Sequence, residues 1–157
     1  SKLDDTIDNL ISKNWSNKII PNSFGEYGLV KTNPIALTNI PTTYGWLSLL
    51  RYSYTSKYGF TMYFPVEPKR IGCTDCDEIK GLTDIWDLYD INGSKLNTIF
   101  INCHQNFNSL KAPVGLFLSA EIDSERDAEN VFEKFLKLSD EEKNNIDEES
   151  FNKLRRV

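Results

Sequence analysis

The chain has 157 residues and a formal net charge of −5, with 39% apolar and 12% aromatic residues. This length is typical of one domain, and the apolar content is sufficient for a hydrophobic core and too high for a wholly disordered chain. No apolar run approaches the ~20 residues of a membrane-spanning helix, and no basic stripe is available to neutralise phosphates, which argues against nucleic acid as a partner.

Charge is unevenly distributed along the sequence. Residues 1–118 carry 11 acidic and 11 basic side chains, whereas residues 119–157 carry 12 acidic and 7 basic ones, which accounts for the whole net charge of −5. We therefore expect a single domain over residues 1–157, with a neutral, sheet-rich body at 24–118 and acidic C-terminal helices at 124–155.

The start of the sequence and its cysteine content bear on location. No signal-peptide pattern opens the chain, and three cysteines are an odd number for a secreted disulfide framework. We expect a cytoplasmic protein. A periplasmic or secreted location stays open, because a leader that had been removed would not be visible.

The first third predicts two helices and two extended segments. Residues 3–14 have apolar side chains at helical spacing, which is typical of a short amphipathic helix. The spacing of glycine and proline favours extended segments at 28–31 and 34–37. From position 42 the apolar pattern predicts a short helix, with Thr42 or Thr43 as its N-cap.

Two strands and a loop are expected next. Residues 51–55 and 60–66 predict strands joined by a turn, since aromatic and apolar side chains alternate with polar ones. The segment 67–83 is polar and holds Cys73 and Cys76. We expect it to be a loop.

The clearest structural signal lies in residues 84–103, where Asn92-Gly93 separates two apolar runs. This pair favours a type I′ turn, because both central residues tolerate positive φ. A two-residue loop of this kind places Asp90 opposite Lys95, which is an opposite-charge pair.

The same register predicts the pairing along the rest of this hairpin. It places Trp86 opposite Ile99 and Ile85 opposite Phe100, pairs that stabilise a sheet. Both faces of the hairpin carry apolar side chains, so we expect a central position with cover on both sides.

Two capping patterns divide the C-terminal region into two predicted helices. Ser124 opens a capping-box sequence ahead of an apolar pattern at helical spacing, and Ser139 opens another. The second helix has a thin apolar face formed by Ile146, Phe151 and Leu154. A thin face predicts loose docking, a role in binding a partner, or fraying.

These elements together predict an α+β fold, with an antiparallel sheet of hairpins, a short N-terminal helix and two C-terminal helices. The 84–103 hairpin forms the centre of the sheet and the 51–66 hairpin joins it. The C-terminal helices pack on one side, the first of them tightly.

Cys73, Cys76, Cys103 and His104 are the only group with metal-ligand chemistry. The Cys-x-x-Cys spacing is one common half-site for zinc, which needs about four N or S ligands. The other half is weak, because adjacent residues of a strand point to opposite faces. Acidic neighbours also disfavour a reactive thiolate at the first pair. Separate structural roles are favoured, and no cofactor is expected.

Aromatic and acidic residues offer a binding surface instead. Tyr and Trp anchor interfaces well because they combine apolar area with a polar tip, and the acidic run at 140–149 could steer a basic partner. A thick aromatic core and a solvated helix face are the structural alternatives. The candidate partner-binding residues are Trp46, Tyr52, Tyr54, Trp86, Asp140, Glu141 and Glu142.

Several segments of the body resemble a group of small bacterial proteins with no assigned activity. The segments are GEYGLVKTNPI at 25–35, LRY at 50–52, IWDLYDI at 85–91, IFIN at 99–102 and SLKAPVG at 109–115. The resemblance implies a bacterial origin and one compact domain, and it supplies no catalytic residues. Cys73 and Cys76 lie outside the resembling segments, which lowers the expectation of a cysteine site.

For function, these observations favour a non-enzymatic bacterial protein that binds another protein, in an immunity-type or accessory role. The alternative is a small metal-binding protein or thiol-dependent enzyme that uses Cys73, Cys76, Cys103 and His104. Retained zinc or an unusually reactive Cys103 would discriminate in favour of the alternative.

Overall fold

A computed structural model describes residues 15–119 and 125–156 of the protein. The described residues form nine strands and four helices, which confirms the predicted α+β class. The strands are β1 (Trp15–Ser16), β2 (Ile35–Ala36), β3 (Leu50–Thr55), β4 (Thr61–Pro65), β5 (Glu67–Cys76), β6 (Ile79–Tyr89), β7 (Lys95–Asn102), β8 (Asn108–Ser109) and β9 (Leu116–Leu118). The helices are α1 (Ile40–Ser48), α2 (Glu125–Leu136), α3 (Asp140–Asn144) and α4 (Glu148–Arg155). The helix predicted over 3–14 and the capping pattern at Ser124 lie outside the described residues.

The longest strands form a four-stranded sheet in the order β2-β7-β6-β5, and β6 and β7 are the predicted hairpin. Trp86 pairs with Ile99 and Ile85 with Phe100, which confirms the predicted register over this part of the hairpin. β2 runs parallel to β7 at one edge, and β5 runs antiparallel to β6 at the other.

The turn between β6 and β7 is not the predicted type I′ turn. Positive φ in this turn is confined to Gly93, at 79°. The Gly93 N–H donates to the Asp90 carbonyl at 3.0 Å, and the Asp90 N–H donates to the Ser94 carbonyl at 2.8 Å. This is a type I turn followed by a left-handed glycine. The Asp90 carboxylate stabilises it by accepting the N–H groups of Asn92 and Ser94.

The longer loop changes the pairing next to the turn. A register shift places Tyr89 opposite Lys95. The predicted Asp90–Lys95 pair is therefore wrong. Lys95 instead forms an ion pair with Asp87, with 3.2 Å between Nζ and Oδ1.

The segment 67–83 is a strand pair and not the predicted loop. β5 pairs with β6 from Glu67 opposite Tyr89 onward, with two register shifts along the way. Because β5 is an edge strand, polar side chains are tolerated along it, and the bulges interrupt the alternation that identifies a strand. Cys73 and Cys76 therefore lie on an edge strand.

The second predicted hairpin belongs to a separate sheet. Strands at 51–55 and 60–66 are confirmed, as β3 and β4, within a residue at each end. They do not join the sheet of β6 and β7, because β9 pairs with the other side of β3 and completes the order β4-β3-β9.

One hydrophobic core lies between the two sheets and the helices. Its buried members include Trp86, Leu88, Ile99 and Ile101 from the first sheet, Leu50, Tyr52 and Phe64 from the second, Trp46 and Leu47 from α1, and Val131 and Phe135 from α2. The face of the 84–103 hairpin that carries Trp86 and Ile99 is covered by this core. The opposite face is not, because Ile85 and Phe100 are only half-buried and Leu96 is exposed. The prediction that both faces are covered is therefore wrong.

Helix α1 begins earlier than predicted. Asn39 is its N-cap, since the Asn39 side chain accepts the Thr42 N–H at 2.8 Å. The predicted cap at Thr42 or Thr43 is therefore wrong. The indole N–H of Trp46 donates to the Ser109 carbonyl at 3.1 Å, and this bond joins α1 to β8.

The extended segment predicted at 34–37 is confirmed as β2, but residues 28–31 form turns. Gly28 has a φ of 75°, and a Cβ there would lie 2.6 Å from Pro113. The left-handed backbone and the close contact with Pro113 both require glycine at position 28. A left-handed residue does not continue a strand, which explains the turn.

The second C-terminal helix is divided into α3 and α4. The predicted capping box at Ser139 is confirmed, and Asp147 caps a new helix after a break. Ile146 and Leu154 are buried in the core, so the thin apolar face docks on the body of the protein. In the described part of the chain, no helix combines the length and apolar character that crossing a membrane requires.

Candidate functional site

A cavity of about 290 Å³ opens between the start of α1 and the sheet surface formed by β5 and β6, and we call it the α1 groove. On α1, Ile40, Thr43 and Tyr44 line it, since residues three and four apart share one helix face. On β6, Leu82 and Trp86 line it, because alternate residues of a strand share one face.

The apolar wall of the groove is open to solvent. Ile40 is 61% exposed, Tyr44 is 58% exposed and Leu82 is 53% exposed. Single exposed apolar residues are ordinary, but several around one concavity mark a binding surface.

Trp86 forms the floor of the groove. Its ring is 5% exposed, and the Tyr44 ring packs edge-on against it, with centroids 5.8 Å apart and planes at 88°. The indole Nε1 of Trp86 is buried and has no hydrogen-bond partner among the described residues. A buried donor without an acceptor is costly, and most such groups in folded proteins are paired.

An ion pair stands at the β5 side of the groove. The Arg70 guanidinium donates through Nε (3.1 Å) and Nη2 (2.9 Å) to one carboxylate oxygen of Asp84. Hydrogen bonding to Asp84, and then its negative charge, raise the pKa of Arg70. These bonds use two of the roughly five N–H groups of a guanidinium, so others can donate to a ligand.

Two cysteines also line the groove. Cys73 is exposed on β5, and Cys103 is buried beyond the end of β7. Burial, and then the charge of Asp84, raise the pKa of the Cys103 thiol. A raised pKa lowers the thiolate fraction, and the thiolate is the nucleophile and metal ligand.

His104 forms the end wall, and its position follows from two neighbours. Asn102 is fully buried, and its Oδ1 accepts the His104 N–H at 3.0 Å. A Cβ at Gly81 would lie 2.6 Å from the imidazole ring, so only glycine lets the ring lie there.

A second cavity of about 790 Å³ is also lined by His104, and we call it the His104 hollow. Lys18 and Lys80 line it, together with Trp15. The Nε1 of Trp15 is buried and, in the described part of the chain, has no hydrogen-bond partner. The two cavities thus share a histidine, and each is lined by a tryptophan whose buried N–H has no acceptor among the described residues.

The cysteine constellation expected from sequence is assembled only in part. Cys73, Cys103 and His104 line the same groove, whereas Cys76 packs in a separate small cluster with Ile20, Ala36 and Ile79. Within residues 15–119 and 125–156, no three His, Cys, Asp or Glu side chains are grouped to hold a metal ion.

The aromatic residues predicted to anchor a partner are largely core residues. Trp46, Tyr52 and Trp86 are buried, and Tyr54 is half-buried and stacks on Phe64 at 5.3 Å. These rings therefore pack in the core, and partner binding by them stays a prediction. Of the four, Trp86 lines the α1 groove.

The predicted acidic residues are on the surface. Asp140, Glu141 and Glu142 form the exposed first turn of α3. The Glu142 carboxylate accepts the Ser139 N–H at 2.9 Å, and this bond lowers the pKa of Glu142. One of the three therefore has a structural role in capping, and partner binding by this turn stays a prediction.

The sequence-based search missed the residues that form the groove wall, namely Ile40, Tyr44, Arg70, Leu82 and Asp84. Arg70 and Leu82 were hidden because the segment 67–83 resembled a loop. Ile40 and Tyr44 line the groove only because α1 packs against the strands. If β5 and β6 are recognised as paired, Arg70 falls opposite Trp86 and Cys73 opposite Asp84, which places charge and thiol on the face that carries the tryptophan.

No protein-family model matches the chain, and no curated protein or solved structure matches it either. The resemblance to small bacterial proteins therefore stays a prediction. The evidence for function comes from the side chains that line the α1 groove and the His104 hollow.

Proposed function

We propose that this protein works without enzymatic activity by binding another protein, which inserts an apolar side chain into the α1 groove. The observation that carries the proposal is the exposure of Ile40, Tyr44 and Leu82 around the buried, unpartnered indole N–H of Trp86. An immunity-type or accessory role in a bacterial cytoplasm is the setting we propose for it.

The size of the groove favours a side chain over a larger ligand. Small-molecule sites usually enclose roughly 300–1,000 Å³, and the groove, at about 290 Å³, is at the lower limit of that range. One leucine or aromatic side chain fits such a space. Interfaces are commonly anchored by one such residue in a desolvated pocket.

Trp86 gives the groove a polar specificity element. The Trp86 N–H lacks an acceptor in the described structure but has almost no surface that water can reach, so a partner carbonyl would accept it only if neighbouring side chains such as Tyr44 moved aside. Such a bond forms only in the complex. It would satisfy a buried donor that the free protein leaves unpaired, so this contact favours binding.

The thiol-dependent or metal-binding alternative has weaker support. Cys73, Cys103 and His104 share the groove, which is the observation in its favour. Burial disfavours the Cys103 thiolate, and Cys76 lies in another cluster. A thiol enzyme needs a stabilised thiolate beside a base, and this arrangement works against one.

The test is capture of a partner by variants of the full chain. Leu82→Asp places a charge in the apolar wall, and we expect it to abolish capture of the protein that the wild type retains from its own source. Val114→Asp is the matched control, because Val114 is 76% exposed and lies outside the groove.

Both variants must unfold at the same urea concentration as the wild type for the comparison to hold. Equal capture by wild type, Leu82→Asp and Val114→Asp would mean that the groove is not the docking site. If only Val114→Asp lost capture, the partner would bind at the connection between β8 and β9 and not at the groove.

A further inference from the structure

We propose that the α1 groove and the His104 hollow together bind an acidic, extended segment of the partner protein. The inference rests on the function proposed above and names the chemistry of the partner. In this arrangement an apolar side chain of the segment enters the groove, and its carboxylates and backbone carbonyls meet donors in the groove and the hollow.

Continuity of the two cavities is the first observation. His104 lines both, with Trp86 and Arg70 on the groove side and Trp15 and Lys80 on the hollow side. A binding surface that passes over one shared side chain suits a segment of several residues more than a compact ligand.

The surplus of hydrogen-bond donors is the second observation. The indole N–H groups of Trp86 and Trp15 are buried and lack acceptors within the described residues. Indole nitrogen only donates, as does a guanidinium or an ammonium group. The donors that a ligand can reach without rearrangement are the exposed side chains of Lys18, Lys80 and Arg70, and backbone carbonyls and carboxylates complement them.

Charge is the third observation. Lys18, Lys80 and Arg70 line the two cavities, and Asp84 is the one acidic side chain among the described residues that line them. Arg70 and Asp84 neutralise each other in their ion pair, so Lys18 and Lys80 supply the excess positive charge. A locally basic surface on a chain of net charge −5 is complementary to an acidic partner segment and would speed its association.

The apolar residues explain why a peptide is a better match than a free anion. The groove offers Ile40, Tyr44 and Leu82, and the hollow offers Ile19 and Phe107. A segment in which acidic and apolar side chains alternate would contact both kinds of surface. A phosphate or a small carboxylic acid would leave the apolar walls uncovered.

The experiment uses the three tryptophan indole N–H signals of the ¹⁵N-labelled full chain. The probes are an end-blocked peptide Glu-Glu-Leu-Glu-Phe-Glu and its counterpart Lys-Lys-Leu-Lys-Phe-Lys. We expect the acidic peptide to move the signals of Trp15 and Trp86. Trp46 is the internal control, because its N–H is already bonded to the Ser109 carbonyl.

A charge-reversal variant tests the role of the lysines. Lys18→Glu combined with Lys80→Glu should weaken binding of the acidic peptide by roughly tenfold, since each charge reversal removes an attraction and adds a repulsion. Lys57→Glu is the matched control, because this exposed lysine lies in the β3–β4 turn of the other sheet.

The outcomes separate this inference from the proposed function. Equal shifts with the basic peptide, or no shift of Trp15 and Trp86 with the acidic one, would overturn the inference. If Leu82→Asp still abolishes capture in that case, the groove binds a partner of different chemistry. If capture is also unaffected, both proposals fail.

Discussion

At the scale of single residues, two buried tryptophans have opposite polar environments. The Nε1 of Trp46 donates to the Ser109 carbonyl, whereas the Nε1 of Trp86 has no partner in the described structure. Both rings belong to the same core. Both side chains are almost fully buried, and among the described residues the N–H of Trp46 has an acceptor and that of Trp86 has none.

A pair of matched substitutions measures that difference. Trp46→Phe leaves the Ser109 carbonyl unpaired, while Trp86→Phe removes a donor that was already unpaired. We expect Trp46→Phe to lower the free energy of unfolding by about 1–3 kcal/mol more than Trp86→Phe does. Urea denaturation of both variants is the measurement, and equal losses would contradict the assignment of Trp86 as an unsatisfied donor.

Residue-level chemistry also limits what sequence can reveal about the site. Cys73, Cys103 and His104 were identified as candidates by residue type, and they do line one groove. The exposure of Tyr44 and the burial of Trp86 could not be predicted, because both are aromatic residues in apolar surroundings along the chain. Only the packing of α1 on the sheet decides which ring is covered.

At the scale of elements, prediction succeeded where the local pattern was strong. The β6–β7 pairing and the β3–β4 hairpin follow from apolar alternation and turn residues. The loop prediction failed for β5, because an edge strand tolerates polar residues and bulges interrupt its periodicity. The type I′ prediction failed because the Asp90 carboxylate stabilises a longer loop.

The start of α4 gives a prediction about pH. The Ser150 N–H, and then its hydroxyl, donate to Asp147 and hold the pKa of Asp147 below its ordinary value. A lowered pKa in the folded state stabilises the fold above the ordinary value near 4, and this contribution is lost as pH falls further.

The matched variant is Asp147→Asn, since asparagine is also a good N-cap but does not titrate. We expect the free energy of unfolding of the wild type to fall more steeply below about pH 4 than that of the variant. Urea denaturation across this pH range is the measurement. Parallel curves for the two proteins would mean that the cap of α4 does not contribute to acid sensitivity.

At the scale of the whole molecule, the acidic C-terminal helices are part of the core and not an appendage. Ile146 is fully buried, and its carbonyl accepts the Ser56 hydroxyl at 2.9 Å. Phe151 of α4 stacks on Phe60 with ring centroids 5.1 Å apart. These contacts join α3 and α4 to the β3–β4 turn.

Ile146→Ala tests this coupling. We expect a loss of about 2–5 kcal/mol in the free energy of unfolding, as for other large-to-small core substitutions, with one cooperative transition. Leu136→Ala is the control, because Leu136 is exposed on α2 and should cost little. A separate early transition of the helices in Ile146→Ala, seen by far-UV circular dichroism ahead of tryptophan fluorescence, would contradict a single core.

The pairing of early strands with late ones has a consequence for biosynthesis. β1 pairs with β8 and β2 with β7, and β3 has β9 as a second partner besides its neighbour β4, so several early strands pair with segments that are made much later. Isolated hairpins are marginal in water, and distant pairings are slow to form. The four-stranded sheet needs the chain up to Asn102, and the sheet of β3, β4 and β9 needs it up to Leu118. We therefore expect most of the chain to be synthesised before its core can form, and apolar strands that are exposed until then are prone to aggregation.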